Sequence, residues 1–168
     1  MKLIVVVDDN WAIGKGNKLL YNLPYDLKNN FRKETKGKVV IVGSNTLLSF
    51  PNSRPLPHRT NIVLCNTGEV FADCIMADSL TTLKDIICNY DKDDVFVCGG
   101  ATVYRLLLPY CDGAIITKVN ATTIDADSFF PNVDLLPNWQ LQRQSFPIQD
   151  NGYTITINHY RNDSPKQL

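Results

Sequence analysis

Short apolar runs rich in β-branched residues recur along the first hundred residues, each bounded by polar or turn-forming residues. Such continuous runs predict strands buried on both faces, which is typical of a sheet covered by helices. The predicted strands run from Lys2 to Val7, Val39 to Val42, Asn61 to Cys65 and Val95 to Cys98.

Segments with helical spacing separate these strands. Leu27 and Phe31 lie four residues apart and so on one face of a helix. Ser79 precedes a second segment with an apolar stripe at helical spacing, and its hydroxyl can cap that helix. Ser44, Asn45 and Thr46 offer side chains that could cap a short helix. The predicted helices run from Tyr25 to Thr35, Ser44 to Ser49, Ser79 to Asn89 and Ala101 to Leu108.

The last third of the chain has a different pattern. Ala114 to Val119, Trp139 to Phe146 and Tyr153 to Tyr160 read as strands with no helical stripe between them, so these strands are expected to pair antiparallel. Asp8 to Pro24 lacks periodicity and predicts a long loop, a kind of segment that often serves as a lid. The pattern therefore predicts an α/β domain that begins with parallel strands and ends with antiparallel ones.

Composition narrows the partners. The 168 residues fit a single domain, and 17 basic and 17 acidic residues give a net charge of zero without a run of like charges. Neither nucleic acid nor a membrane is therefore an expected partner. Five widely spaced cysteines without a Cys-x-x-Cys pair predict reduced thiols in the cytoplasm. His58 and His159 lack ligand spacing, so no metal site is expected.

Two strand-to-helix turns contain glycine, at Gly43-Ser44 and at Gly99-Gly100. Both are expected at the carboxyl edge of the sheet, where backbone amides can face an anionic ligand. A tight turn needs glycine in any case, and neither turn has the Gly-x-Gly-x-x-Gly dinucleotide fingerprint. The turns alone therefore leave ligand binding open.

Two charged residues could carry chemistry. Asp26 follows Pro24 at a helix start, where a carboxylate favours the helix dipole, or where it could bind a flat amidine-like ring through paired hydrogen bonds. Arg59 follows a proline-rich turn and is either solvated or the partner of a substrate carboxylate.

Taken together, these motifs resemble the dihydrofolate reductase family from Met1 to about Arg161. Ala12 to Gly14 with Asn22 to Leu27 looks like the family's substrate loop and its acidic residue. The segments that resemble its cofactor turns and following strands are Val42-Gly43 with Thr46, Arg54 to Leu64 and Val97 to Tyr104, and Asp127 to Pro131 is similar to its Asp-x-x-Phe-Pro segment.

The resemblance implies an NADPH-dependent reductase that converts dihydrofolate to tetrahydrofolate for one-carbon metabolism. It implies a mixed, mainly parallel sheet of about eight strands flanked by about four helices, in one domain (1–168) with an adenosine-binding subdomain near 38–91 and a loop subdomain formed by the rest. A monomer that binds antifolate inhibitors is also expected.

The resemblance also implies roles for individual residues. Asp26 would bind the pterin and promote protonation of N5, Thr117 would support this carboxylate, Leu19 would close over the nicotinamide, and Tyr21 would lie near the pterin. The implied substrate contacts, in addition to Asp26 and Thr117, are Val5, Val6, Leu27, Phe31, Phe50, Leu56, Arg59 and Cys98. The implied cofactor contacts are Val6, Ile13, Gly14, Asn17, Leu19, Gly43, Ser44, Asn45, Thr46, Leu64, Cys65, Asn66, Cys98, Gly99, Gly100, Ala101, Thr102, Val103 and Tyr104.

The sequence departs from the family pattern at several positions. Tyr21 replaces a usual tryptophan, and the interval from Asp26 to Phe31 is one residue longer than usual. Ser44 and Thr102 stand where members that prefer NADPH often carry arginine, so NADH is also a possible cofactor and a weaker preference for NADPH is expected, with Asn66 supplying what recognition remains.

Two other functions fit parts of this pattern. One is a related reductase acting on another pterin or on a pyrimidine ribosyl substrate, against which Asp26, Thr117 and Arg59 argue together. The other is a nucleotide-binding or interaction module of the same fold without turnover. Only Tyr21, Ser44 and Thr102 support it, and none of them removes the proposed acid.

Overall fold

Residues 1–168 are described by a computed structural model in which a mixed β-sheet carries helices on both faces. The strands are β1 (Lys2–Val7), β2 (Ala12–Lys15), β3 (Lys18–Leu19), β4 (Val39–Gly43), β5 (Thr60–Leu64), β6 (Ile75–Ala77), β7 (Val95–Gly99), β8 (Gly113–Val119), β9 (Ser128–Phe129), β10 (Trp139–Gln144), β11 (Ile148–Asp150) and β12 (Tyr153–Asn162).

Five α-helical segments accompany the strands, and the first two belong to one continuous helix. They are α1 (Pro24–Asp26), α2 (Arg32–Thr35), α3 (Ser44–Ser49), α4 (Leu80–Ile87) and α5 (Ala101–Leu107). Between α1 and α2 lies a π-helical turn, Leu27–Phe31, and the three pieces together are called the 24–35 helix below. Short 3-10 turns (Pro51–Ser53, Lys92–Asp94, Leu108–Tyr110 and Val133–Leu135) complete the helical structure.

The central sheet has the strand order β10-β12-β8-β1-β7-β4-β5-β6, and β11 pairs with β12 beside this path. The pairings from β8 through β1, β7, β4 and β5 to β6 are parallel, whereas β12 pairs antiparallel with β8, β10 and β11. The predicted mixed, mainly parallel sheet with antiparallel strands at the C-terminal end is confirmed.

The two faces of the sheet have separate apolar clusters. On one face, Leu3 of β1 belongs to the largest cluster, together with Leu83 of α4 and Leu107 of α5. On the other face, Ile4 packs in a small cluster against which Phe31 of the 24–35 helix lies. Successive strand residues point to opposite faces, so β1 is buried on both sides as its continuous apolar run predicts.

The prediction of one long loop from Asp8 to Pro24 is wrong in part, because β2 and β3 form a hairpin there and β9 adds a third strand. These strands are too short for alternation to show in the sequence. The segment before β9 holds the hairpin, since Asp127 accepts a hydrogen bond from the Gly16 amide (2.8 Å) and donates its own amide to the Gly14 carbonyl (3.1 Å).

Side-chain capping is predicted for two helices, and only one has it. Ser79 caps α4 by accepting a hydrogen bond from the Thr82 amide (3.1 Å). In α3 the N-cap is Gly43 and no side chain caps the helix, so the amides at this end remain available to a ligand.

None of the helices combines the length and the apolar character that crossing a membrane requires. All five cysteine thiols are free.

Candidate active site

Asp26 is a buried acid on the first turn of the 24–35 helix, with only 4% of its surface exposed. Pro24 opens the helix, where the missing amide donor costs nothing. The next two backbone amides, of Tyr25 and Asp26, donate to the two carboxylate oxygens of Asp150 at 3.0 and 2.9 Å. Asp150 lies at the end of β11, so a distant strand caps the helix and fixes the direction of Asp26.

The Asp26 carboxylate receives two hydrogen bonds on a single oxygen. The Thr117 hydroxyl donates to Oδ1 at 2.5 Å, and the side-chain amide of Asn30 donates to the same atom at 3.0 Å. No group of the chain donates to Oδ2, the second oxygen. One edge of the carboxylate is therefore held by the protein, and the other remains available to a ligand.

Burial raises the pKa of Asp26 above its usual value. The hydrogen bonds from Thr117 and Asn30 oppose this rise, while the nearby Asp150 carboxylate adds to it through repulsion. Desolvation has the largest effect, so the acid holds a proton at a higher pH than a solvated aspartate would.

Thr117 reaches Asp26 from the middle of β8. Its neighbours in register are Val6 of β1 and Ile157 of β12, so three adjacent strands form the wall opposite the acid. The Val5 side chain points to the other face of the sheet and packs in the main core. Only the backbone of Val5 could therefore contact a ligand at this wall.

An apolar strip continues from Asp26 along the same face of the sheet. Phe31 packs against the cluster of Ile4 and its neighbours, Phe50 packs against the cluster of Leu47, and Cys98 contacts both clusters. The strip therefore joins two of the predicted aromatic substrate residues. Leu27, also predicted there, is mostly exposed beside the acid.

Arg59 lies at the far end of this strip, with its guanidinium carbon 5.8 Å from the centre of the Phe31 ring. Its Nε donates to the Thr35 hydroxyl (3.0 Å) and its Nη1 to the Pro57 carbonyl (2.7 Å). Its Nη2 makes no hydrogen bond within the chain. The side chain is thus held in place with donors to spare for an anion.

Arg59 also lines a cavity of about 670 Å³. Leu56 lines it, and the Asn61 side chain fixes this residue by bonding both its backbone amide (3.0 Å) and its carbonyl (2.9 Å). Asp26 does not line this cavity.

The two glycine turns lie side by side at the carboxyl edge, because β4 and β7 are parallel neighbours. A Cβ on Gly43 would lie 3.1 Å from the Val103 side chain of α5, and a Cβ on Gly100 would lie 3.0 Å from the Thr46 hydroxyl of α3. Only glycine fits these contacts without displacement. The paired turns form a backbone cradle with the uncapped start of α3 on one side.

Tyr104 supports the second turn from beneath. A Cβ on Gly99, whose φ is +117°, would lie 3.2 Å from the Tyr104 ring. The Tyr104 hydroxyl donates to the carbonyl of Ile4 at 2.7 Å, so it faces β1 and not the cradle. Ala101 and Thr102 begin α5 beside this turn.

The hairpin of β2 and β3 reaches the first turn through one side chain. The Asn17 amide donates to the Asn45 carbonyl at 3.0 Å. Ile13 and Gly14 lie in β2, and Leu19 at the end of the hairpin is 84% exposed. The hairpin therefore lies beside the first glycine turn, with the Leu19 side chain exposed.

The chain after β5 places a carboxylate near the first turn. The Cys65 thiol lies 3.0 Å from the Thr67 hydroxyl, which donates to Glu69 at 3.1 Å; Thr67, and to a smaller extent Ser44, lower the pKa of this thiol. Leu64 ends β5, and Asn66 is exposed in this segment. No arginine or lysine takes part in this group of contacts.

Tyr21 is not among the partners of Asp26. Its hydroxyl lies 2.9 Å from that of Thr123 and 3.3 Å from a carboxylate oxygen of Asp8, and its ring meets Tyr153 edge to face. The Tyr21 hydroxyl is thus held by Asp8, directly after β1, and by Thr123, and not by Asp26.

Two residues of the site, Asn30 and Asp150, were missed by sequence reasoning. Asn30 follows Lys28 and Asn29 in a polar run that resembles a solvated face, although its spacing of four from Asp26 was a usable signal. Asp150 lies 124 residues from its partner amide, and local patterns carry no sign of such a contact. No group of three potential metal ligands is present.

A mixed sheet with a glycine cradle at its carboxyl edge, and a buried acid with one free carboxylate oxygen beside an apolar strip, has the arrangement of an α/β oxidoreductase of the dihydrofolate reductase fold. A solved structure with this fold is "Dihydrofolate reductase from Enterococcus faecalis complexed with NADP(H) and RAB-propyl". It is similar over 96% of this chain and 95% of its own, with a TM-score of 0.81 and 29% identity.

Sequence relatives agree with the structural match. The sequence profile of the dihydrofolate reductase family matches residues 1–162. Dihydrofolate reductase of Bacillus subtilis is 37% identical over 142 residues, covering 84% of this chain and 80% of the relative. That of Buchnera aphidicola subsp. Schizaphis graminum is 34% identical over 157 residues, covering 92% and 94%. The chain belongs to the dihydrofolate reductase family.

Proposed function

We propose that this protein reduces dihydrofolate to tetrahydrofolate with NADPH as the electron donor. The observation that carries the proposal is the half-held carboxylate of Asp26, with Oδ1 bound by Thr117 and Asn30 and Oδ2 free. A ring carrying adjacent amino and amide N–H groups can satisfy that free edge. The family match and the relatives support the same conclusion.

Asp26 has two tasks in the proposed reaction. It binds the amino and amide groups of the pterin, and it favours protonation of the pterin at N5 while the hydride is received at C6. Its raised pKa suits this role, because an acid near its pKa exchanges protons readily. Thr117 orients the carboxylate by donating to Oδ1, the oxygen that does not face the pterin in this proposal.

The rest of the substrate lies along the apolar strip in this proposal. Phe31, Phe50, Cys98 and Leu56 contact the pterin and benzoyl portions. Arg59 binds the glutamate carboxylate with the donors that the chain leaves unused.

The glycine cradle fits a dinucleotide. Backbone amides at Gly43 to Thr46 and Gly99 to Val103 can approach a pyrophosphate closely, since any side chain at Gly43 or Gly100 would meet the facing turn. The nicotinamide of NADPH supplies the hydride when bound. Leu19 and Asn17 of the hairpin would cover this end and exclude water.

We further propose that residues 38–91 form an adenosine-binding subdomain, since their strands β4, β5 and β6 form one end of the sheet and α3 and α4 lie in the same segment. Action as a cytoplasmic monomer is part of the same proposal; the five free thiols fit a reducing compartment, and the monomer is what the family resemblance implies. A diaminopyrimidine antifolate is expected to bind at Asp26, because its amino groups match the free carboxylate edge.

The test follows absorbance at the nicotinamide band with dihydrofolate, using NADPH and NADH in parallel. Asp26→Asn should lower turnover by about 10²–10⁴-fold, since it removes the acid from proton transfer. Asp9→Asn, which changes an exposed acid, is the matched control and should turn over normally. Absence of turnover in the parent protein with both cofactors would refute the proposal.

A further inference from the structure

Asn30 is a buried amide that contacts both Asp26 and Thr117, and it is 4% exposed. Its Nδ2 donates to Asp26 Oδ1 at 3.0 Å and to Thr117 Oγ1 at 3.2 Å, while Thr117 donates to Asp26 at 2.5 Å. The three side chains therefore form a closed triangle around one carboxylate oxygen.

The triangle allows only one orientation of the Asn30 amide. Thr117 has a single hydroxyl proton, which it donates to Asp26, so its oxygen must accept from Asn30. Rotation of the amide would place its oxygen against the lone pairs of both neighbours. Asn30 is thus a double donor that supports the ionised form of Asp26.

Asn30 lies four residues after Asp26, on the same side of the helix, and the π-helical turn brings Phe31 to the sheet together with it. The Arg32 amide donates to the Leu27 carbonyl, five residues back, so the turn contains one residue more than an α-helical turn. Asn30 and Phe31, the fourth and fifth residues after Asp26, consequently both face the sheet. A regular α-helix would direct these two neighbours about 100° apart.

We propose that Asn30 is a positioning residue of the active site, which fixes Oδ1 of Asp26 and tunes the acid toward its ionised form. The proposal rests on the function proposed above for Asp26. In this proposal Asn30 acts on the proton affinity of the acid together with burial, Thr117 and Asp150.

Few charged groups face Asp26 from the elements packed around it. Asp150 of β11 is the one that acts on it through space. Asp8, Glu34 and His159 make no contribution to the shift in the pKa of Asp26. The effect of Asn30 can therefore be separated from other titrations.

The experiment compares Asn30→Leu with the parent by two titrations. Carbon-13 labelling of aspartate, assigned with Asp26→Asn, follows the Asp26 carboxyl without any turnover. Loss of the donor should move its midpoint upward by about one pH unit. The pH at which hydride transfer is half-maximal should rise with it, because the protonated acid persists to higher pH.

Asn29→Leu is the matched control, since it makes the same chemical change on the exposed residue next to it and should leave both midpoints unchanged. Asn30→Ser also removes the amide and repeats the test if the leucine variant does not fold. An unchanged carboxyl midpoint in a folded Asn30 variant would overturn the proposal. Lack of turnover in the parent would refute the proposed function instead, and the carboxyl titration would still report on Asn30.

Discussion

At the residue scale, Asp26 combines burial with incomplete hydrogen bonding. The chain satisfies one oxygen with Thr117 and Asn30 and leaves the other for a ligand. Such an acid is expected to cost stability in the free protein, since its charge is desolvated without full compensation. Function and stability are therefore opposed at this position.

We predict that Asp26→Asn stabilises the free protein in a pH-dependent way. The folded-state pKa of Asp26 is raised, so folding is progressively disfavoured as the pH rises from the ordinary aspartate value, about 3.9, through the raised value. Asparagine removes this penalty and keeps an oxygen for both donors. Urea unfolding should show a more stable variant at about pH 8 and a smaller difference at about pH 3. An equal difference at both pH values would contradict this prediction.

At the element scale, the 24–35 helix depends on a strand far away in sequence. Its first amides are capped by Asp150 of β11, which is 4% exposed. The same carboxylate repels Asp26 and so contributes to its raised pKa. One side chain thus sets both the start of the helix and part of the electrostatics of the site.

We predict that Asp150→Ala lowers the free energy of unfolding by about 1–2 kcal/mol, as loss of a helix cap does. It should also lower the pKa of Asp26, in the opposite direction to Asn30→Leu, because a like charge is removed. Denaturant unfolding and the carboxyl titration measure the two effects. Gln149→Ala, on the same strand but exposed, is the control, and a similar loss in that variant would argue against the cap.

At the scale of the whole molecule, the type of sheet and its central elements could be predicted from the sequence, and the finer parts of the site could not. Buried strands such as β1 and β7 show as continuous apolar runs, and Ser79 gives a local capping signal. The hairpin of β2 and β3 is too short to show a period. The contacts of Asp150 and Tyr21 depend on residues distant in sequence, which no local pattern encodes.

Cofactor selectivity also depends on the whole molecule, since the cradle, the hairpin and the chain after β5 all surround the proposed dinucleotide site. Ser44 and Thr102 carry no charge, and Glu69 places a carboxylate in contact with Thr67 near Ser44. We predict that selectivity for NADPH over NADH stays below about a thousandfold, because neutral hydrogen bonds contribute only about 0.5–1.5 kcal/mol each. Thermal unfolding at matched concentrations of the two cofactors measures this, since stabilisation follows affinity.

Ser44→Arg should increase the preference for NADPH by about tenfold to a hundredfold, as expected for a charged hydrogen bond to the ribose phosphate. Scans of each variant without cofactor serve as the baseline. A parent protein that NADPH stabilises strongly and NADH leaves unchanged would contradict the prediction.

The π turn at Leu27–Phe31 shows how a helix can lengthen by a single residue without disturbing the residues after it. An insertion in a regular helix would rotate every later side chain, and Phe31 and Thr35 would lose their places against the sheet and Arg59. The wider turn absorbs the insertion locally. A helix with one such turn can therefore place a polar group beside its acid and still keep an aromatic ring on the sheet one residue later.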